Sequence, residues 1–240
     1  MALPKIDYPI SEIYIKSLDR NVKFRPFLVK EEKIFLIAKE SKEPDDIKNA
    51  VLQIINNCCL EDIDVTKIPL FDIEMIFVKL RAMSVGEAVQ LEFHCKNEVD
   101  GVECDTTTPY TLNLNKVKYI QPEGHDPKVM LTDKVGVKLK YPDLGISFTV
   151  DDEENLYEVA MGVLFNNVEY IFDEEQIYRP EDYTEEEFET FVEHLTLEKM
   201  KQVQNFFNTS PRVVLEDDVE CNKCGFVHKI YSEDLLSFFI

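Results

Sequence analysis

The sequence predicts an α+β fold, in which helices and local antiparallel β hairpins share the chain without repeating βαβ units. Three observations carry this. Between 47 and 59, Ile47, Ala50, Val51, Ile54, Ile55, Cys58 and Cys59 recur at the three- and four-residue spacing of a single helix face. Segments 10–16 (ISEIYIK) and 21–27 (NVKFRPF) read as two strands joined by a turn at Leu18 to Asn21. Further β-rich segments follow one another between 87 and 141 rather than alternating with helices.

Taken in order, the first hairpin leads into a helix at about 29–40 and then the amphipathic helix at 47–59, whose periodicity makes Cys58 and Cys59 core residues acting as small hydrophobes. The stretch IPLFDIEMIFVKLRAMSVGE places Pro69 near a first helical turn and Gly86 after the last. It is apolar on more than one side, so it belongs at the centre of a domain. Strands are expected at 87–95, 107–114, 127–131 and 135–141, pairing hairpin by hairpin. Helix returns at 153–165. In TEEEFETFVEHL, Thr184 and Glu187 form a capping box and Phe188, Phe191, Val192 and Leu195 an apolar stripe, with an outward face that is nearly all acid. A further helix, capped by Thr196, points Met200, Val203 and Phe207 inward and must stop before Pro211. Two strands flank Cys221 and Cys224, and the chain closes on Phe238, Phe239 and Ile240, an apolar end that is either tucked into the core or presented to a partner. The expected organisation is an N-terminal hairpin with helices over 1–86, a β-rich region over 87–150, an acidic helical region over 151–210 and a C-terminal hairpin over 211–240, built as one compact unit or two interleaved domains.

Composition excludes several function classes. With 240 residues, 45% hydrophobic and 30% charged, the chain is globular and large enough to bury its own core. Its net charge is -21, and residues 151–195 hold sixteen acidic side chains against the single Arg179. That sign repels phosphate backbones, so nucleic acid is not an expected partner. The acidic block reads either as solvated helix faces or as a docking surface for a basic partner. No apolar run approaches the roughly 20 residues of a membrane helix, and MALPKIDYPI lacks the apolar core of a signal peptide, so the cytosol of the producing cell is expected. Phosphate-binding loops, dinucleotide fingerprints, nucleophile elbows and HExxH pairs are all missing, and the four histidines are scattered, so no enzyme is expected.

Four cysteines form two pairs in strand-turn-strand settings: Cys95 and Cys104 in HCKNEVDGVEC, and Cys221 and Cys224 in CNKCG. In a reducing compartment such pairs are metal ligands or catalytic thiols rather than structural disulfides. Brought together, four thiolates suit a structural zinc ion, and Gly225 supplies the positive φ that a knuckle needs after its second cysteine. The fold therefore gains a zinc-ribbon-like clasp between the β-rich region and the C-terminus. The first pair departs from the usual two-to-four-residue spacing: eight residues intervene, with Asn97, Asp100 and Gly101 giving turn chemistry for an enlarged loop. His94 and His228 are reserve ligands. Unligated cysteines remain an alternative, and so does a redox pair, although CGFVHKIY continues as a strand where a redox motif opens a helix.

MALPKIDYPI, VKFRPFLVKEEKIFLIAKES, FDIEMIFVKLRAMSVGE and CNKCGFVHKIYSEDLLSFF together resemble the baseplate hub assembly proteins of T-even-like contractile-tailed bacteriophages, along essentially the whole chain. The resemblance implies a non-enzymatic hub subunit or assembly factor whose partners are other phage hub and tail proteins. It places the protein in the host cytoplasm during assembly and, if the chain is a hub subunit rather than an assembly factor, in the virion tail baseplate. It also implies a paired-cysteine ribbon at Cys95, Cys104, Cys221 and Cys224. Glu185, Glu186 and Glu189 on the acidic helix, with Phe238, Phe239 and Ile240 at the end, are the expected partner contacts. A zinc-ribbon regulatory or nucleic-acid-associated phage protein, and a thiol redox protein, are the rival readings.

Overall fold

A computed structural model describes residues 6–144 and 156–233. The expected contacts at Phe238, Phe239 and Ile240 lie outside the described residues. The architecture is α+β, with six helices and several small antiparallel sheets among the described residues. Contacts divide the chain into two compact units, one formed by 1–120 with 212–240 and the other by 121–211.

The first unit opens with β1 (Ser11–Ile15) and β2 (Arg20–Phe24), paired from Ser11 against Phe24 to Ile15 against Arg20. Asp19 takes the left-handed conformation that closes the turn. Helices α1 (Val29–Ser41), α2 (Pro44–Cys58) and α3 (Leu70–Val85) follow. In α2 most of the predicted stripe is the core: Ala50, Val51, Ile54, Ile55 and Cys58 are buried, whereas Ile47 is half-buried and Cys59, also half-buried, lies just past the helix in extended backbone. Helix α3 buries eight residues, as its all-round apolarity requires, and ends at Gly86 with φ 117°.

Asp72 in the first turn of α3 is fully buried, which no pattern in the sequence announces. Its carboxylate accepts the backbone N–H groups of Lys16 and Ser17 at 2.9 Å each and the Tyr119 hydroxyl at 2.6 Å. A second buried charge is also matched. Glu31 accepts from Arg25 at 2.9 Å and from the Leu28 N–H at 2.9 Å, so the carboxylate serves both an ion pair and the start of α1.

Strands β3 (Ala88–Cys95) and β6 (Thr106–Asn113) form a long hairpin, registered from Ala88 against Asn113 to Cys95 against Thr106. Between them lie β4 (Glu98–Val99) and β5 (Val102–Glu103), a small hairpin of their own. Local pairing does not hold throughout. Strand β7 (Lys118–Ile120) pairs with β12 (Arg212–Glu220), which pairs in turn with β13 (Val227–Ser232). The apolar run Val213, Val214 and Leu215 is fully buried in the middle strand of this sheet, which brings the C-terminal segment into the first unit.

The second unit is a four-stranded antiparallel sheet in the order β11-β10-β9-β8, made of β8 (Lys128–Met130), β9 (Gly136–Leu139), β10 (Val168–Phe172) and β11 (Ile177–Tyr178). Its helices are α4 (Leu156–Asn166), α5 (Glu185–Glu193) and α6 (Leu197–Thr209). Phe188 from α5 and Val203 and Phe206 from α6 are buried in one cluster with Val137, Leu139 and Val168 of the sheet. The capping box is formed as expected: Thr184 accepts from the Glu187 N–H, and Glu187 accepts from that of Thr184.

Candidate metal centre

The two cysteine pairs meet within the first unit. All four Sγ atoms lie within 4.8 Å of one another, with Cys95 to Cys224 at 3.7 Å and Cys104 to Cys221 at 3.8 Å. These pairs cross from one hairpin to the other, so the cluster ties β3–β6 to β12–β13. Cys95, Cys104 and Cys221 are buried, and all are free thiols. Sulfurs at Zn–S bonds of about 2.3 Å in a tetrahedron stand about 3.8 Å apart. The Cys95–Cys224 and Cys104–Cys221 distances match that spacing, and the remaining pairs lie within 4.8 Å.

The enlarged first loop explains itself in its local chemistry. Asp100 and Gly101 both have positive φ, 55° and 80°, the pair of values demanded by a two-residue primed turn, and Asp-Gly is a preferred dipeptide for it. Residues 98–103 thus fold back as β4–β5, with Val99 against Val102. At the base of this small hairpin the Cys104 N–H donates to the Asn97 carbonyl at 2.7 Å. With 98–103 pinched out, Lys96 and Asn97 alone separate the two cysteines, the same spacing as Asn222 and Lys223 between Cys221 and Cys224. The second knuckle closes in its own way: Gly225, at φ 70°, donates its N–H to the Cys221 carbonyl at 3.0 Å, and the Cys221 N–H donates to that of Phe226 at 2.9 Å.

Polar groups around the sulfurs complete the cluster. The Nε2 of His228 lies 3.1 Å from the Cys95 Sγ, its ring held between Phe93 and Phe226 with centroids 4.8 and 4.7 Å away. Asn97 Nδ2 donates to the Cys224 Sγ at 3.8 Å, and Lys223 Nζ to the Cys104 carbonyl at 3.1 Å. His94 behaves differently: its exposed ring pairs with Asp105 at 2.7 Å. Of the two reserve ligands, then, His228 is at the sulfurs and His94 is engaged elsewhere. Backbone N–H groups of Cys224 and Lys223 directed at the Cys221 sulfur lower its pKa to about 6. Burial pushes the Cys95 thiol up to about 12, with further upward contributions from the neighbouring sulfurs. A cation placed among the four supplies the charge that would let them all ionise, and binding would release protons.

The family model described as T4 bacteriophage base plate protein matches residues 8–240. The chain belongs to this family. Its members are phage baseplate structural proteins, and other structural proteins of the phage are the partners that membership implies. No curated protein and no solved structure matches the chain. No helix among the described residues is long and apolar enough to cross a membrane.

The predicted partner residues Glu185, Glu186 and Glu189 lie in the first turns of α5, with all three exposed. Sequence reasoning missed Asn97 and Lys223 as supports of the cysteine cluster. Their signal is positional: each immediately precedes a cysteine once the small hairpin is folded.

Proposed function

We propose that this baseplate protein is a non-enzymatic hub subunit or hub assembly factor that acts through protein contacts, with a structural zinc ion clasping its first unit. The observation that carries the reading is the family match over residues 8–240, on a chain whose best-formed chemical site is a closed set of four thiols. Cys95, Cys104, Cys221 and Cys224 would be the ligands. Four protein ligands fill a tetrahedral ion, leaving no position for water or substrate, so zinc here would hold structure rather than catalyse. The acidic α5 face at Glu185, Glu186 and Glu189 and the terminal Phe238, Phe239 and Ile240 are the proposed partner contacts, made in the host cytoplasm while the baseplate assembles.

Co-expression with the other baseplate proteins of the same phage, followed by affinity capture of this chain, tests the contacts. Reversing Glu185, Glu186 and Glu189 to Lys, or ending the chain before Phe238, should each reduce recovery of a hub protein. Undiminished recovery with both variants sinks the assignment of these contacts. Metal analysis of the purified protein tests the clasp: about one equivalent of zinc is expected from a four-thiolate site.

A further inference from the structure

We propose that the first unit carries a docking groove for an apolar segment of a partner protein that brings a carboxylate with it. The groove lies between α1, α3 and β3, a cavity of about 240 Å³ lined by Phe27, Phe35, Phe77, Val85 and Val89. Past Phe27 and Val85 it continues into a wider hollow of about 640 Å³ bordered by Ile6, Tyr8 and Val29. The apolar side chains on its lip face water: Leu36 is 53% exposed, Val85 58%, and Ile6 and Val29 81% each.

Helix α1 is the reason the face is open. A surface helix keeps polar residues outward, but α1 turns Val29, Leu36 and Ile37 to solvent while burying Glu31. Single exposed apolar residues need no explanation; a contiguous set lining a groove marks an interaction site.

Charge selects the occupant. Arg81 and Lys39 line the same cavity, and among the described residues neither forms an ion pair. The Nη1 of Arg81 is buried without a hydrogen-bond acceptor. Acids are not scarce in this chain, which has 47 against 26 basic residues. Of the two carboxylates at the groove, Glu31 is committed to Arg25 and the Leu28 N–H, leaving Glu32 alone against two cations. In a strongly anionic protein this is a locally cationic cleft with an apolar floor. A guanidinium short of acceptors is matched best by a planar carboxylate, which can accept two of its N–H groups at once. The complementary ligand is a segment with large apolar side chains and an Asp or Glu beside them. This inference rests on the reading of the chain as a protein that works through protein contacts.

Fluorescence anisotropy on the full chain tests the groove apart from that reading. The probes are labelled helical peptides of Leu, Phe and Ala with one Glu at the edge of the apolar stripe, and otherwise identical peptides carrying Gln or Lys there. The Glu peptide should bind roughly tenfold more tightly than the Gln peptide, the size expected of hydrogen bonds to a charged group, and the Lys peptide most weakly. Arg81→Gln should abolish the difference between Glu and Gln, and Leu36→Asp, at an exposed position that leaves the core intact, should weaken all three. Equal binding of the Glu and Lys peptides, a Glu preference that survives Arg81→Gln, or no binding by any probe overturns the proposal. So does a dimer in sedimentation that Leu36→Asp dissociates, because the groove would then belong to a second copy. A failure here leaves capture of hub proteins untouched, and a failure of that capture leaves the peptide result standing.

Discussion

The two units of this protein both have apolar cores and differ in the buried polar contacts added to them. The first, with Ile15, Phe24, Ile55, Ile76 and Leu80 fully buried, adds directional contacts to its core: the four clustered thiols, the buried Arg25–Glu31 pair and the Asp72 carboxylate with its three donors. The second relies more on packing, although its His125 ring is hydrogen-bonded to Thr209 and Tyr141. Its core joins aliphatic side chains to the buried Phe188 and Phe206, and its ring contacts include the stacked His125, Tyr141 and Phe206 and the group of Phe165, Tyr183 and Phe188. Charge divides the same way. Residues 121–211 carry twenty-one acidic side chains against seven basic, whereas 1–120 with 212–240 carry twenty-six against nineteen. The difference follows from connectivity. The second unit is one continuous stretch whose neighbours in sequence can pack as they emerge, but the first must recover a strand from the far side of an insertion and dock it against β7. Closing so long a loop has an entropic cost and needs contacts that specify one register. Hydrogen-bonded charges, and the zinc ion proposed for the four thiols, specify position in a way that greasy surfaces do not.

The sharpest way to test that contrast is to remove the metal proposed for the four thiols. Cys221→Ser, or a strong chelator, should strip the ion and loosen the β12–β13 amides in hydrogen exchange while α5 and α6 stay protected. Because zinc binding by structural four-ligand peptides is worth about 10–16 kcal/mol at neutral pH, this effect should exceed every other substitution. Unchanged metal content in Cys221→Ser would remove the site, and equal loosening of both units would erase the distinction between them. Next in size is Arg25→Met, which leaves the Glu31 carboxylate buried without its partner; about 3–5 kcal/mol of stability should go, read from urea unfolding and confined to the first unit. Phe188→Ala should cost a similar 3–5 kcal/mol by opening a cavity, but in the second unit and with zinc content unchanged.

Acidification separates the units again. Burial alone would push the Glu31 carboxyl up, but the Arg25 guanidinium and the Leu28 N–H together hold it below its ordinary value. A carboxylate with a depressed folded-state pKa stabilises the fold above the unfolded value of about 4.3 and loses that contribution as pH falls from there through the lower folded-state value. Unfolding midpoints measured from pH 7 to pH 3 should therefore drop most steeply below about 4.3, and Glu31→Gln should flatten that drop. A slope identical in the two proteins would show that Glu31 carries no share of it.

Periodicity made most of the helices legible, because an amphipathic helix writes its buried face into the spacing of its own residues. The α2 stripe and the α5 capping box were readable for this reason. Strands joined by short turns were readable too, as with β1–β2. What resisted was pairing at a distance: nothing in KYI at 118–120 announces a partner at 212–214, and VEYIF at 168–172 passed unnoticed against a flanking acidic block. The cysteine pairs were legible as ligand types, and the spacing of the first one looked like an obstacle. Asp100-Gly101 held the answer, since the dipeptide that marks a turn also folds six residues out of the way. Asp72 and Glu31 were opaque, because a carboxylate in a helix's first turn looks the same in sequence whether it faces water or three buried donors.

The smallest expected effect also bears on the comparison, because it asks how far the second unit depends on one directional contact. Thr184 Oγ1 accepts the Glu187 N–H at 3.2 Å, and the Glu187 carboxylate accepts the Thr184 N–H at 2.9 Å, both at the exposed start of α5. Thr184→Ala removes the hydroxyl and should cost about 1 kcal/mol, a typical cap, with Thr184→Ser restoring it. Exchange should quicken at the first α5 amides and stay unchanged at β12 and β13. If the loss instead approached that of Phe188→Ala, the cap would be setting the position of Phe188 in the core, and the second unit would rest on a hydrogen bond as much as the first does.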